Sequence, residues 1–392
     1  MSWKPIHSVD FYKADDLLTD EEKKVRAELA EFIDREVIPG IAKHYEEATF
    51  PMEVVPKLAE LGVFGAAFPK EEGYRGLSHV AYGLIMQELE RGDSAIRSMA
   101  SVQAALVMFP IRAYGSEEQK KKWLPLLKTG EKIGCFGLTE PAHGSDPGGL
   151  ETKAVREGDE WVLSGEKLWI TNGSIADLAV VWAKTPDDDI GGFLIEKGTK
   201  GFKAPEVTRK LSLRASITSG LVMDSCRIPE ANRLPGAKGL AGPLRCLNEA
   251  RYGIAWGAVG AATACYTTAL NYAIKRTQFE KPIASYQLVQ QKLVGMLTDI
   301  TKAQLMCIQL GRLKERGEAA YPRVSMAKMS NVAMASKAAR VAREILGANG
   351  ISLSYNVMRH MCNLESVKTY EGTHDMQALI VGREITGLDA IR

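Results

Sequence analysis

The hydrophobic pattern of this 392-residue chain changes its period twice, and this limits the possible folds more than any other feature. Apolar residues recur at helical spacing from about residue 19 to 130, form short strand-length runs from about 135 to 230, and become helical again from about 245. We therefore expect an α+β multidomain protein with domains at 1–133, 134–244 and 245–392. These would be an N-terminal helical domain, a middle antiparallel β-barrel and a C-terminal domain resembling a four-helix bundle.

Local signals place some of the element boundaries. Thr19 with Glu22, and Ser116 with Gln119, form capping boxes that predict helix starts. Pro39-Gly40 predicts the end of the first helix. In the middle region, two alternating segments on either side of Gly158-Asp159 predict a β-hairpin.

Composition excludes several classes of protein. Lys plus Arg is 50 against 48 for Asp plus Glu, and aromatic residues are only 7%, so neither a nucleic-acid surface nor a base-stacking surface is expected. The six cysteines are widely spaced, which indicates reduced thiols in a reducing compartment. The N-terminus lacks an apolar secretory core, and we expect no transmembrane helix. The nearest apolar run, Gly253–Ala264, is Gly- and Ala-rich and predicts a tightly packed buried helix, so we expect a cytoplasmic protein.

Common nucleotide and hydrolase motifs are absent from the sequence. The chain has no Gly-x-Gly, no Gly-x-x-x-x-Gly-Lys-Ser/Thr and no Gly-x-Ser-x-Gly. It also lacks paired histidines at metal-ligand spacing. A doubly wound nucleotide domain, the simplest hydrolase and a structural zinc site are therefore disfavoured.

Two polar segments lie in the predicted β domain. Phe136–Asp146 is rich in Gly, Thr and Ser and could point several backbone N–H groups at an anion, although an ordinary polar loop explains the composition better. Leu168–Gly173 takes a strand into a tight turn beside Trp169, which could cover a flat ring or equally well fill the barrel core.

Two further segments lie in the C-terminal region. Lys275–Ile283 offers the planar donors of Arg276, which suit a phosphate, but a solvated helix end is the usual explanation of such a stretch. Lys368–Asp375 ends a helix at Glu371, a carboxylate that would have a raised pKa and could act as a general base if it points into a cavity. Taken alone, this glutamate is more often solvated.

The four segments share one resemblance, which is carried by FGLTEPxxGSD, WITN, RxQF, GxNG and TYEGTHD in this order. The chain resembles the acyl-CoA dehydrogenase family of flavoproteins over nearly its whole length. Lys210–Ser216 (KLSLRAS) and Cys246–Gly257 (CLNEARYGIAWG) resemble the glutaryl-CoA branch in particular. The resemblance implies the same helical, β and helical order of domains.

The resemblance also implies FAD, a homotetramer in which a neighbouring subunit completes each flavin site, and an electron-transferring flavoprotein as the acceptor. The implied cofactor-binding residues are Phe136, Leu138, Thr139, Gly144, Ser145, Trp169, Ile170, Thr171, Arg276, Phe279, Gln287, Glu344, Leu346, Gly347 and Thr373. The chain departs from the family pattern at Glu280 and Ala348, where the family usually has glycine, and both positions lie at the adenosine end.

For the chemistry, the resemblance implies that Glu371 removes the proton beside the thioester carbonyl while a hydride from the β-carbon passes to the flavin. The residues implied to bind the acyl-CoA are Glu90, Arg97, Ser98, Ser101, Ser145, Leu247, Asn248, Arg251, Tyr252, Tyr370 and Gly372. No metal is expected.

Arg97 selects the substrate in this interpretation. Arg97 and Ser101 are four residues apart and share a helix face, and an arginine in an apolar acyl pocket is costly unless it meets a carboxylate. A dicarboxylic acyl chain would supply one; an internal carboxylate or water is the alternative, which we rank below it. By resemblance, Glu90, Arg97, Ser98, Thr171 and Tyr370 favour oxidative decarboxylation of glutaryl-CoA to crotonyl-CoA. The other possibilities are oxidation that stops at glutaconyl-CoA, a short-chain acyl-CoA dehydrogenase and a silent scaffold without flavin.

Overall fold

The computed structural model describes residues 8–187 and 189–391. The part before the sheet is helical, as expected. Its α-helices are α1 (Asp20–Phe32), α2 (Ile38–Glu47), α3 (Val54–Glu60), α4 (His79–Gly92), α5 (Ser94–Ser101), α6 (Phe109–Tyr114) and α7 (Glu117–Lys128). π-helical segments join α1 to α2 (Ile33–Val37) and α5 to α6 (Val102–Met108).

The middle region forms a seven-stranded sheet. Its strands are β1 (Gly134–Gly137), β2 (Lys153–Glu157), β3 (Glu160–Thr171), β4 (Leu178–Lys184), β5 (Ile190–Glu196), β6 (Phe202–Lys203) and β7 (Thr218–Pro229). The strand order is β1-β4-β2-β3-β7-β6, and β5 also pairs with β4. The predicted hairpin is confirmed, because β2 and β3 pair antiparallel from Lys153↔Ser164 to Glu157↔Glu160.

The C-terminal region is helical apart from one short hairpin. Its elements are α8 (Ala241–Lys275), β8 (Thr277–Gln278), β9 (Lys281–Pro282), α9 (Gln287–Glu315), α10 (Tyr321–Ile345), α11 (Val357–Thr369) and α12 (His374–Thr386). Short 3₁₀ turns complete the described elements at Ala14–Leu17, Lys70–Glu72, Pro147–Gly149, Glu230–Asn232, Ile283–Ser285 and Gly347–Ile351.

The chain folds into two compact units that do not follow sequence order. The first contains the described residues up to Glu46, Leu77–Arg97 and the chain from Arg251 onward. The second contains Glu47–Gly76 and Ser98–Ala250, and therefore holds the sheet. The predicted boundaries after residues 133 and 244 stay predictions.

The predicted helix starts are confirmed at atomic detail. Thr19 Oγ1 accepts a hydrogen bond from the Glu22 N–H at 3.3 Å, and the Glu22 carboxylate accepts one from the Thr19 N–H at 2.8 Å. Ser116 and Gln119 make the same reciprocal pair at the start of α7. Each capping box satisfies backbone donors that the first helical turn leaves without partners.

The predicted helix end at Pro39-Gly40 is wrong. The helix widens into the π-helical turn Ile33–Val37, in which the Ile38 N–H reaches back to the Ile33 carbonyl, and continues as α2 through both residues. A five-residue turn accommodates a proline ring that a regular α-helical turn would exclude. Local propensity was therefore overridden by a change in helix type.

The sheet is mixed, and the expectation of a wholly antiparallel one needs correction. β1 runs parallel to β4 from Gly134↔Leu178 to Gly137↔Val181, and β2 meets β4 in parallel at Lys153↔Lys184. The chain forms the antiparallel β2–β3 hairpin between β1 and β4. It then enters β4 in the same direction in which it ran through β1. Beyond β1, the Leu168 N–H of β3 donates to the Thr139 carbonyl at 2.9 Å, so the sheet curls round on itself.

One helical stretch among the described residues, Ser94–Tyr114, is long and apolar enough to cross a membrane by length and composition. Its apolar window is completely buried within the protein. A stretch buried in this way is typical of a core helix.

Small residues let α4 and α8 approach closely in the first unit, and the predicted buried Gly- and Ala-rich helix lies in α8. A Cβ atom at Gly83 would come within 2.2 Å of the Trp256 ring, and one at Gly260 within 1.9 Å of the Gln87 carbonyl oxygen. A Cβ at Gly257 would lie 1.9 Å from a Glu90 carboxylate oxygen. This packing positions the α4 residue Glu90, which is important for the site.

We predict that Gly260→Ala destabilises the protein by about 1–3 kcal/mol, because the new methyl group meets backbone that cannot move independently. Gly40→Ala is the control, since no atom lies within 4 Å of the position that its methyl group would take, and it should be neutral or stabilising by up to about 1 kcal/mol. The measurement is the midpoint of unfolding of both holoproteins. Equal midpoints for the two variants would contradict the close approach of these helices.

Candidate active site

Glu371 lies in a tight turn between α11 and α12. α11 ends at Thr369, and Thr373 caps α12 by accepting a hydrogen bond from the Met376 N–H at 3.3 Å. Glu371 has φ of 54° and Gly372 has φ of 91°, so both are in the left-handed region. A non-glycine residue there costs about 1–3 kcal/mol and persists only when its surroundings fix it. The predicted helix end before this glutamate is confirmed.

Buried donors fix this turn by binding its carbonyl groups. Arg251 Nε donates to the Glu371 carbonyl at 2.7 Å, and Gln377 Nε2 donates to the same oxygen at 3.2 Å. Gln377 Nε2 also donates to the Gly372 carbonyl at 3.0 Å. A Cβ at position 372 would lie 2.5 Å from Gln377 Nε2 and 3.0 Å from Arg251 Nη2, so the packing as well as the backbone angle requires glycine.

The Glu371 carboxylate is short of partners. Its Oε2 is shielded from solvent and accepts no hydrogen bond from any described residue. Burial raises the pKa of Glu371, while the positive charges of Arg97, Lys328 and Arg251 act in the opposite direction. The result is a carboxylate suited to accept a proton from a bound molecule.

Lys328 of α10 is a site residue that sequence reasoning missed. It is 2% exposed, and its Nζ donates to the carbonyl of Tyr370 and, at 2.5 Å, to that of Gly372. Burial lowers the pKa of Lys328 to about 7, although Glu371 acts to raise it. No motif marks this lysine; the only available signal was a cation on the apolar side of a long helix.

Arg97 is completely buried and is paired within the chain. Its Nε donates to Glu90 Oε2 at 2.7 Å, and its Nη2 donates to the Tyr370 hydroxyl. The Ser94 hydroxyl donates to the other Glu90 oxygen at 2.8 Å. The internal carboxylate that we ranked below a substrate carboxylate is therefore present, which corrects the sequence argument. Arg97 Nη1, however, is buried without a partner among the described residues.

The first unit thus brings several of the predicted residues together. They are Glu90, Arg97, Arg251, Tyr370, Glu371 and Gly372. Tyr252 does not join them by a described hydrogen bond, because its hydroxyl donates to the His79 carbonyl at 2.7 Å and its ring stacks on Tyr82. Its observed role is to pack α8 against α4.

The second unit joins the two polar segments of the sheet. Trp169 lies at an irregularity of the β3–β7 pairing, has φ of 64° and leaves 59% of its surface exposed. The Lys167 ammonium, which is buried, donates to the Leu138 carbonyl at 3.2 Å and to Glu140 at 2.7 Å. A large aromatic ring held out of the sheet on a fixed backbone is suited to stack on a flat ligand.

The predicted cofactor residues of this unit divide into two groups. Phe136, Leu138 and Ile170 are buried. The others are half-buried or exposed: Thr139, Gly144, Ser145 and Thr171.

Four predicted substrate residues of the second unit are held by helices. Ser98 and Ser101 are buried in α5, and Ser101 Oγ has no partner in the described chain. Leu247 and Asn248 lie on α8, where the buried Asn248 Oδ1 also accepts no hydrogen bond from the described residues. Unpaired buried polar atoms are uncommon in proteins, and a catalytic or binding role is one explanation for them.

The residues predicted for the adenosine end lie elsewhere in the first unit. Arg276, Phe279 and Gln287 are exposed around the β8–β9 hairpin, and Phe279 is 89% exposed with φ of 49°. The predicted residues at the end of α10 differ from one another in exposure and pairing. Glu344 pairs with Lys292 at 2.9 Å, Leu346 is buried and Gly347 is exposed at φ of 59°.

Comparison with protein families matches three consecutive regions of the chain. The acyl-CoA dehydrogenase N-terminal domain matches residues 19–131, the middle domain 135–226 and the C-terminal domain 237–386. Human short-chain specific acyl-CoA dehydrogenase, mitochondrial, is 34% identical over 386 residues, which cover 97% of this chain and 93% of the human protein.

Solved structures agree with this result. The crystal structure of glutaryl-CoA dehydrogenase from Mycobacterium smegmatis is 50% identical, with a TM-score of 0.96 and coverage of 98% of this chain and 100% of that one. A glutaryl-CoA dehydrogenase from the same organism in complex with FADH2 is 47% identical, with a TM-score of 0.96 and coverage of 98% and 99%. The predicted fold class and FAD are thereby confirmed. This chain belongs to the acyl-CoA dehydrogenase family and is an FAD-dependent acyl-CoA dehydrogenase.

Proposed function

We propose that this enzyme oxidises glutaryl-CoA and releases CO2 to give crotonyl-CoA. The observation that carries the proposal is the buried Arg97 Nη1, a cationic donor without a partner among the described residues although Nε and Nη2 of the same side chain are bonded. A buried charged donor left unpaired is costly, and a carboxylate at the far end of an acyl chain would satisfy it.

The balance of charge around Glu371 supports a substrate that carries a free carboxylate. The cations Arg97, Lys328 and Arg251 act on Glu371. The carboxylates of the cluster are Glu90 and Glu371 itself. With all of them ionised, the buried cluster carries one surplus positive charge. While Lys328 is protonated, a dicarboxylic acyl group balances that surplus and a plain acyl group leaves it uncompensated; the surplus is lost as the pH rises through the Lys328 pKa of about 7.

Glu371 would act as the base on the carbon next to the thioester carbonyl. Its Oε2 is free to accept the proton, and the fixed turn holds the carboxylate in one place as the substrate binds. FAD, when bound, supplies the acceptor for the hydride that leaves the β-carbon. The second unit fits a flat cofactor, since Trp169 exposes its ring from a backbone held at positive φ.

Loss of CO2 would follow from the product of oxidation. In glutaconyl-CoA, the electrons of the bond to the leaving carboxylate can move through the conjugated chain to the thioester. The protonated Glu371 then returns its proton to the chain, which gives crotonyl-CoA and restores the base. The buried contacts among Glu90, Arg97 and Tyr370 support this step, because they hold Arg97 in place with its Nη1 left to bind the leaving carboxylate.

A short-chain acyl-CoA dehydrogenase is the second candidate, favoured by the similarity to the human short-chain enzyme over 97% of the chain. The 50% identity to a glutaryl-CoA dehydrogenase, together with the buried unpaired donor of Arg97, favours glutaryl-CoA. A homotetramer, an electron-transferring flavoprotein as acceptor and a cytoplasmic location remain predictions from the resemblance.

We predict that Glu371→Gln keeps FAD and binds acyl-CoA but reduces its flavin about 10²- to 10⁴-fold more slowly, because an amide cannot accept the proton. In the unchanged enzyme the rate should fall as the pH drops through the raised pKa of Glu371, since only the carboxylate is a base. Anaerobic mixing with substrate, followed by flavin absorbance, measures both effects. Glu365→Gln, at an exposed position of α11, is the matched control. Wild-type bleaching by Glu371→Gln would refute the assignment.

We predict that the double variant Glu90→Gln/Arg97→Met loses about 10²-fold or more in kcat/KM for glutaryl-CoA relative to butyryl-CoA. Changing both residues avoids leaving either charge buried alone, which would destabilise the protein by itself. The ratio of the two specificity constants removes any general loss of activity from the comparison. An unchanged ratio would show that Arg97 does not select the substrate.

We predict that one CO2 and one crotonyl-CoA form for each flavin reduced by glutaryl-CoA. Trapped CO2 and chromatographic separation of the thioesters give both amounts from a single anaerobic turnover. Accumulation of glutaconyl-CoA without CO2 would retain the dehydrogenation and remove the decarboxylation from the proposal.

A further inference from the structure

The turn that carries Glu371 depends on Lys328 on both of its sides. Lys328 Nζ donates to the carbonyls of Tyr370 and Gly372, the residues immediately before and after the glutamate. Arg251 and Gln377 bind the carbonyl of Glu371 between them. Three successive carbonyls of a strained turn are therefore bound by buried side chains of three helices. Among these side chains, Lys328 binds the carbonyls on both sides of Glu371.

Packing alone does not account for a lysine at this position. Lys328 is 2% exposed, and none of the ion pairs among the described residues involves it. The centroid of the Tyr370 ring lies 6.0 Å from its Nζ. A buried ammonium without an ion-pair partner is costly, so an apolar residue would serve better if filling space were its role.

Lys328 and Glu371 interact electrostatically. The charged groups that act on Lys328 are Glu371, which stabilises its protonated form, and Arg251 and Arg97, which destabilise it. Lys328 in turn favours the ionised form of Glu371. Burial lowers the pKa of the lysine to about 7, so its charge changes near neutral pH.

We propose that Lys328 is a positioning residue for the base, which fixes Glu371 by bridging the carbonyls on both sides of it and whose positive charge favours the ionised carboxylate. This inference rests on the proposed role of Glu371 as the base. It is independent of the acyl chain, because the proton removed lies next to the thioester in every acyl-CoA substrate.

The proposal predicts the direction of a change in the pH profile. In Lys328→Met the positive charge is lost, the pKa of Glu371 rises, and the acidic limb of the flavin-reduction rate moves to higher pH by about 1 unit or more. Loss of the bridge also misplaces the carboxylate, so the rate at the optimum should fall by roughly 10- to 100-fold. In Lys328→Arg, which keeps the charge and the donors, the acidic limb should stay near its wild-type position.

The experiment is anaerobic reduction of the purified FAD-containing enzyme by butyryl-CoA and by glutaryl-CoA over a series of pH values. Lys302→Met, which replaces an exposed lysine of α9, is the matched control and should behave as wild type. If Lys328→Met does not yield folded holoenzyme, Lys328→Gln replaces it, because its amide is uncharged and donates to one of the two carbonyls. An acidic limb that stays in place without the charge, or that moves equally in Lys328→Arg, would overturn the proposal.

Glu371→Gln, measured in parallel, separates this inference from the proposed function. An active Glu371→Gln would remove the base assignment and the inference with it. An inactive Glu371→Gln beside a wild-type rate and profile in Lys328→Met would remove the inference alone. Reduction by butyryl-CoA but not by glutaryl-CoA would change the proposed substrate and leave the test of Lys328 valid.

Discussion

A buried arginine with more donors than the described residues satisfy is the constraint on which the first unit depends. Arg97 is completely removed from solvent, and Glu90 and Tyr370 bond two of its three nitrogens. Removing an ion pair from water costs several kcal/mol per charge, which is recovered only with good geometry and further hydrogen bonds. The glycines of α8 are part of that geometry, because a methyl group at Gly257 would displace the Glu90 carboxylate.

The same cluster explains the unusual backbone of Glu371. Tyr370 bonds Arg97 through its hydroxyl and Lys328 through its carbonyl, so the residue before Glu371 is held from two directions. Arg251 and Gln377 hold the turn from the side. The left-handed conformation is retained because these contacts outweigh its intrinsic cost of about 1–3 kcal/mol. The Glu371 carboxylate, although it lies in a loop, is thus attached to the helices around it.

Signals confined to a few residues predicted structure well, whereas those that depend on tertiary packing did not. The capping boxes at Thr19 and Ser116 were readable because both partners lie within one turn. The end expected at Pro39 failed because a π-helical turn, set by packing, absorbed the proline. The parallel β1–β4 pair was missed since strand direction depends on the whole crossover and not on either strand.

The residues of the candidate site divide in the same way, into those indicated by a motif or the resemblance and those that depend on packing. Glu371 was found through its motif, and the resemblance linked it to Arg97, which periodicity could not have done. Lys328 and Gln377 were missed because each is one polar residue in a helix and points inward only once α10 and α12 have packed. The contacts of Tyr252 could not be predicted either, because its neighbour Arg251 faces the turn while its own hydroxyl reaches His79.

The order of assembly follows from the way the first unit is built. Glu90 and Arg97 come from an early stretch of the chain, Arg251 from a middle one, and Lys328 and Glu371 from a late one, with the sheet-bearing unit inserted between them. Contacts across such long separations form late, because the intervening chain must first close into a loop. On the ribosome, we therefore expect the Glu90–Arg97 ion pair to lack its covering helices until the C-terminal helices have emerged, an interval in which exposed apolar surface favours aggregation.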